Sequence, residues 1–121
     1  MADNQKGFRV ERDSLGERSV PEGAYYGIQT LRAFENFPIS GIRPKKAFIR
    51  ATALIKLVSA EANISLGLID RKRGLAIKKA ALEVLSNGFD AEFIVDVYQA
   101  GAGTSHNMNA NEVIANRAAE L

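Results

Sequence analysis

Apolar residues recur at helical spacing over three long stretches of the chain and alternate with charged ones only near its start. Phe8-Arg9-Val10-Glu11-Arg12-Asp13 has the two-residue period of a short strand or extended arm. Beyond Gly16, Ser19-Val20-Pro21 predicts a second extended piece and so a small hairpin. Two short strands are marginal alone, so this arm must lean on something else. Ile28, Leu31, Arg32 and Glu35 predict a short helix within residues 25–37, ended by Pro38, with a turn at Ser40-Gly41.

Residues 45–66 carry the strongest helical pattern, entered through Pro44, whose fixed φ suits a first turn. Phe48, Thr52, Ile55, Ser59, Ala62 and Leu66 make one stripe. Ile49, Leu54, Leu57 and Val58 widen it, so the helix is expected to be covered on more than one side. Gly67 supplies a stop. Asp70 is expected to cap a helix over residues 71–85, with Ile77, Ala81, Val84 and Leu85 facing inward and Asn87-Gly88 closing it. Residues 91–100 read as an extended connector across a core. Thr104 or Ser105 caps a last helix to Leu121, with Ile114, Ala118 and Leu121 on one face. No glycine, proline or polar tail stops that helix, which predicts a chain cut inside or just after a longer helix. Residues 1–7 read as a loose polar tail. The fold class is mainly α: one small helical domain with a short N-terminal β-hairpin or extended arm.

Composition narrows the function classes. The chain has 121 residues, of which 46% are apolar and 25% charged, ordinary values for a folded domain. Sixteen basic against fourteen acidic residues leave a formal charge of +2, too balanced to point to nucleic acid. The densest basic group, Arg43, Lys45, Lys46 and Arg50, reads as a solvated helix start. The absence of cysteine excludes disulfides, thiolate metal sites and cysteine nucleophiles from these residues, and a single histidine excludes a multi-histidine metal site. The N-terminus lacks an apolar signal core and no window has the length of a membrane span, so the expectation is a cytoplasmic protein with no membrane partner.

The unusual segment is Gly101-Ala102-Gly103-Thr104-Ser105-His106-Asn107-Met108-Asn109-Ala110-Asn111-Glu112. Glycines let a ligand approach the main chain, and the helix that follows offers unpaired amides at a positive dipole end. Such a start can hold an anion without a cation, and the Thr104 and Ser105 hydroxyls can add donors. The same residues also make a plain turn and N-cap. Neither a dinucleotide fingerprint nor a Walker loop is present. Asn107 and Asn111 lie one turn apart. Asparagines lower helix propensity, so their side chains are expected to serve a ligand or a buried polar network. His106 has no carboxylate or nucleophile nearby in sequence and reads as a helix-start residue. Tyr25, Tyr26 and Tyr98 read as packing residues with wet hydroxyls, and Arg12, Arg32 and Glu35 as a local salt-bridge cluster.

Two segments together resemble the aspartate ammonia-lyases of the aspartase and fumarase superfamily. One is residues 20–41, with Tyr26-Gly27-Ile28-Gln29-Thr30-Leu31-Arg32 at its centre. The other is Gly101-Ala102-Gly103-Thr104-Ser105, followed by Asn107-Met108-Asn109, Asn111, Glu112 and Val113. The resemblance covers residues 8–121. Metal-independent class II fumarases usually have Trp-Gly-Ala-Gln-Thr-Gln-Arg and Gly-Ser-Gly-Thr-Gln at these places, and both differences point toward aspartase.

The resemblance implies the N-terminal domain of an enzyme that reversibly eliminates ammonia from L-aspartate to give fumarate. It implies a homotetramer for the full-length protein and no cofactor or metal. Thr104 then corresponds to the threonine that binds the β-carboxylate, with Gly103, Ala102 and Ser105 beside it and Asn107 and Asn111 in support. The base, a serine in a mobile Gly-Ser-Ser loop, is absent, as are the central helical bundle and C-terminal domain. This chain thus holds no catalytic residue and is expected to be inactive alone. The alternatives are a class II fumarase domain and a non-catalytic interaction fragment.

Overall fold

The computed structural model describes residues 7–121. The tail expected over residues 1–7 falls, apart from Gly7, outside them. Two antiparallel strands, β1 (Phe8–Asp13) and β2 (Gly16–Pro21), precede four helices: α1 (Ile28–Asn36), α2 (Lys46–Ser65), α3 (Arg71–Leu85) and α4 (Thr104–Glu120). The mainly helical class with an N-terminal hairpin is the one the periodicities predict.

The hairpin pairs Phe8 with Pro21 and Asp13 with Gly16, so the chain reverses through Ser14 and Leu15. What it leans on is mostly polar. The Arg9 guanidinium donates to the carbonyls of Pro21, Ala24 and Tyr26 at 2.9, 2.8 and 2.8 Å. Arg32 of α1 grips Asp13 with two hydrogen bonds of 2.7 and 2.8 Å. Arg32 therefore pairs with the hairpin rather than within an Arg12–Arg32–Glu35 cluster, and Glu35 faces Arg18 at 3.6 Å. Val20 is the fully buried apolar residue of the hairpin.

The expected helix over residues 25–37 begins three residues late. The amides of Tyr25 and Tyr26 are held by the Glu92 carboxylate at 2.8 and 3.2 Å, which keeps that stretch out of a helix. α1 has no local side-chain cap and no acidic residue in its first turn. Its orphan amides are satisfied from afar. Glu11 of β1 accepts from Ile28 N at 3.0 Å. Glu112 of α4 accepts from Gln29 N, Thr30 N and the Thr30 hydroxyl at 3.1, 2.7 and 2.5 Å. A Cβ at Gly27 would stand 2.3 Å from Glu112 Oε2 and 2.8 Å from Glu11 Oε1, so both carboxylates need a glycine there.

The core lies between α2, α3, α4 and Phe93 of the connector. It contains Ile49 and Ala53, then Ala80, Ala81 and Val84, then Ala110, Val113 and Ile114. The buried line of α2 is Ile49, Ala53 and Ala60, not the stripe expected from spacing. Phe48, Ile55 and Leu66 of that stripe are 55%, 61% and 71% exposed. α2 has two apolar faces, and the small side chains of one allow α3 and α4 to approach closely. Gly74 of α3 serves the same packing, since a Cβ there would meet Ile64 at 2.3 Å. Leu121 is also exposed, not on the inner face. Asp70 caps α3 as expected, accepting from Arg73 N at 3.0 Å. Arg117 of α4 closes the far end by forking onto Glu83 at 2.6 and 3.1 Å. No described helix is long and apolar enough to cross a membrane.

Glu112→Ala strands two amides and a hydroxyl, and is expected to cost about 2–4 kcal/mol of stability. Gly27→Ala displaces the same carboxylate. The double variant, measured by urea denaturation, should lose less than the sum of the two singles.

Candidate carboxylate-binding loop

The connector expected over residues 91–100 crosses the core only at residues 93–96: it begins within a short 3₁₀ turn, Asp90–Glu92, and residues 97–100 return to the surface. Phe93, Ile94 and Val95 are buried along it. Asn109, fully enclosed on α4, holds it in place: Oδ1 accepts from Ile94 N at 3.1 Å and Nδ2 donates to Glu92 O at 2.9 Å. The buried-network use of the asparagines thus applies to Asn109.

Asp96 anchors the connector's far end. Ser40 N, Gly41 N and Tyr98 N donate to its carboxylate at 2.7, 2.7 and 2.8 Å, and the Ser40 hydroxyl donates at 2.8 Å. Burial pushes the Asp96 pKa up, but these donors to the charged form outweigh it and bring the value down to about 2.

The loop that follows makes a second 3₁₀ turn, Gly101–Gly103, before α4. Ala102 at φ 66° and Gly103 at φ 72° are both left-handed. For Ala102 that conformation costs about 1–2 kcal/mol. The expectation that Thr104 or Ser105 caps α4 is not met. Gly103 occupies the N-cap, Thr104 and Ser105 are the first two helical residues, and no side chain of the N-cap bonds the helix start. The left-handed pair turns the chain directly into the helix, so that Thr104 and Ser105 fall within its first turn instead of before it. His106 N instead donates to Gln99 Oε1 at 2.7 Å, seven residues back.

The sequence-derived site residues divide between two surroundings. Gly101, Ala102, Gly103 and Thr104 are exposed, and the Thr104 hydroxyl has no hydrogen-bond partner among the described residues. Ser105, its neighbour, is buried. Thr104, Asn107 and Asn111 are spaced three and four apart and so share one face of α4. Asn107 accepts from Lys56 Nζ of α2 at 2.7 Å. Asn111 and Lys56 both line an open groove of about 310 Å³ between α2, α3 and α4, with Ser59, Asn63 and Ile114. The exposed face beside the loop therefore carries the Thr104 hydroxyl, the Asn107 carboxamide and the Lys56 ammonium group, all able to donate to an anion, while Asn111 is half-buried and its Nδ2 donates to Met108 Sδ at 3.7 Å. Lys56 and Gln99 had no sign in the sequence. Lys56 sits among apolar α2 residues, and only the folded chain brings it to α4.

His106 points the other way. It stacks on Phe48 with ring centroids 4.2 Å apart and lies 5.9 Å from Phe93. Thr52 donates its hydroxyl hydrogen to Phe48 O at 3.0 Å, so it accepts from His106 Nε2 at 2.9 Å. Nδ1 is then the unprotonated nitrogen, enclosed and without a partner among the described residues. Burial lowers the His106 pKa, and the ring packs as a neutral side chain. Tyr25 is likewise a packing residue with a wet hydroxyl: its ring meets Phe89 edge-on at 4.8 Å and its hydroxyl donates to Glu120 at 2.7 Å. No cluster of three or more potential metal ligands exists among the described residues.

A family profile described as "Lyase" matches residues 16–121. The chain is 59% identical over 114 residues to a fumarate hydratase class II from Halobacterium salinarum, covering 94% of the chain and 24% of that protein. It is 50% identical over 121 residues to an aspartate ammonia-lyase from Bacillus subtilis, covering all of the chain and 26% of that protein. The crystal structure of a fumarate lyase:delta crystallin from Brucella melitensis in native form superposes with a TM-score of 0.91 at 50% identity, over 93% of this chain and 27% of that one. The chain thus spans about a quarter of the length of the relatives it matches.

A folded-state carboxyl held below its ordinary value contributes stability above that value and loses it as pH falls. For Asp96 the contribution is complete above about pH 4 and is lost as pH falls toward about 2. Asp96→Asn is expected to melt lower at neutral pH and to show a shallower decline in melting temperature across that acid window.

Proposed function

Since this chain belongs to the lyase family whose profile it matches, we propose that it is the N-terminal part of an aspartate ammonia-lyase and that its exposed loop over residues 101–104 forms one wall of the carboxylate-binding site. The full-length enzyme would work as a cytoplasmic homotetramer. It would take a proton from the carbon next to the β-carboxylate of L-aspartate, let the charge spread into that carboxylate, and release ammonia to leave fumarate. Donors aimed at the growing charge are the main requirement of such a step.

The observation that carries the reading is the Thr104 hydroxyl. It is exposed at the start of α4, has no partner among the described residues, and sits beside the left-handed pair Ala102-Gly103. The positive end of the α4 dipole adds to its pull on a carboxylate. Gly103 and Ala102 give the ligand access to the backbone, with the buried Ser105 next to Thr104 in the same turn. Asn107 and Asn111 continue the donor face. The proton-abstracting base is not among these residues, so the chain alone would bind at most part of the substrate.

Aspartate is favoured as substrate by the text of both motifs, Ile28 with Leu31 and Ala102 with Ser105. The second reading, a class II fumarase, is favoured by the 59% identity to the Halobacterium salinarum protein. Steady-state assays of the full-length lyase with L-aspartate and with L-malate separate the two. Consumption of malate with aspartate untouched would overturn the aspartase reading.

In the full-length enzyme Thr104→Val should lower kcat/KM by about 10²–10³-fold, the usual loss of one donor to developing charge, with the melting temperature unchanged. A large fall in melting temperature with normal kinetics would sink the site assignment. The 121-residue chain alone is expected to release no fumarate from aspartate in a sensitive assay.

A further inference from the structure

Gln99 bridges the two ends of the loop with its side-chain amide. Its Nε2 donates to Asp96 O at 2.9 Å, and its Oε1 accepts from His106 N at 2.7 Å. Asp96 is itself pinned to residues 40 and 41, so the bridge runs from a fixed point to the first turn of α4. Residues 100–105 are the span it closes. They include the strained Ala102 and the exposed Thr104, which have no side-chain bond of their own to hold them.

The chemical identity of this cap is the informative part. Helix starts prefer Ser, Thr, Asp or Asn as the local cap, and an acidic side chain there gains from the dipole. α4 has glycine at the N-cap, no acidic residue in its first turn, and a neutral amide reaching in from outside. A carboxylate in the same place would satisfy His106 N equally well. It would also neutralise the positive end that an incoming carboxylate needs, and it could not donate to Asp96 O.

We propose that Gln99 is a positioning residue of the carboxylate-binding loop, a deliberately uncharged cap that fixes residues 100–105 while leaving the positive start of α4 free for the substrate's carboxylate. This inference rests on the carboxylate-binding reading of that loop. It assigns Gln99 two separable tasks, one mechanical and one electrostatic, and two substitutions separate them. Gln99→Met keeps the length and removes both hydrogen bonds. Gln99→Glu keeps the acceptor for His106 N, trades the hydrogen bond to Asp96 O for a gain from the dipole, and adds a negative charge.

A purely structural bridge and an electrostatic one order these variants oppositely in KM. If Gln99 only holds the loop, Met is worse than Glu in both melting temperature and KM. If Gln99 also preserves the positive helix start, Glu retains the melting temperature yet raises KM more than Met does.

The experiment measures melting temperature, kcat and KM of the full-length lyase and of its Gln99→Met, Gln99→Glu and Thr104→Val variants. The substrate is whichever of L-aspartate or L-malate the enzyme turns over. The expected result is a KM for Gln99→Glu raised by about 3- to 30-fold, the size of a helix-dipole charge effect, with kcat less affected and the melting temperature held. Equal or smaller KM effects of Glu than of Met overturn the proposal, as does an unchanged KM in both variants while Thr104→Val lowers kcat/KM. An unchanged kcat/KM in Thr104→Val overturns the loop reading itself and this inference with it. Should the Met variant not fold, Gln99→Glu decides alone: a stable protein with raised KM supports the proposal, and one with unaltered KM ends it.

Discussion

The Glu112 carboxylate is the interaction on which the assembly of this domain depends. α1 begins without a side-chain cap of its own, so its first amides must find acceptors elsewhere or remain buried and unpaired. Glu112 reaches them from α4, and Glu11 reaches the same helix start from β1. One end of one helix therefore ties the hairpin, α1 and α4 together. Gly27 is the condition for it, because any side chain there would occupy the space of both carboxylates.

This arrangement gives the two family-like motifs a shared physical meaning. Gly27, Gln29 and Thr30 belong to the first and Glu112 to the second, and the hydrogen bonds that join them connect residues more than eighty positions apart. The motif around Gly101 then has two roles on one helix. The face with Glu112, Asn109 and His106 turns inward and holds α1, the connector and α2. The face with Thr104 and Asn107 stays open, and Asn111 lies half-buried beside the groove. Residues that look alike in the sequence, such as the neighbouring hydroxyls of Thr104 and Ser105 or the three asparagines, are separated by which side of α4 they fall on.

The hairpin and the loop are each secured by polar groups acting on backbone rather than by apolar contact. Arg9 gathers the carbonyls before α1, Asp96 the amides of residues 40, 41 and 98, and Gln99 bridges from the connector to α4. In a small domain whose core is largely alanine, valine and isoleucine, these groups supply the directionality that apolar packing lacks.

The sequence by itself determined the kind and order of the elements, because hydrophobic period, proline and glycine act locally: the two-residue alternation of β1, the Asp70 cap of α3 and the long helix after Pro44 are all legible in it. It also carried the two motifs, and with them the family and the exposed loop as the place to look. The tertiary structure alone decided which face of α2 is buried, since that helix is apolar on more than one side and only the close approach of α3 and α4 selects Ile49, Ala53 and Ala60 over Phe48 and Ile55. It decided where α1 starts, through carboxylates from other elements, and it replaced the expected Thr104 or Ser105 cap by Gln99. Each of these outcomes depends on groups brought together from distant positions, and periodicity carries no record of such pairs.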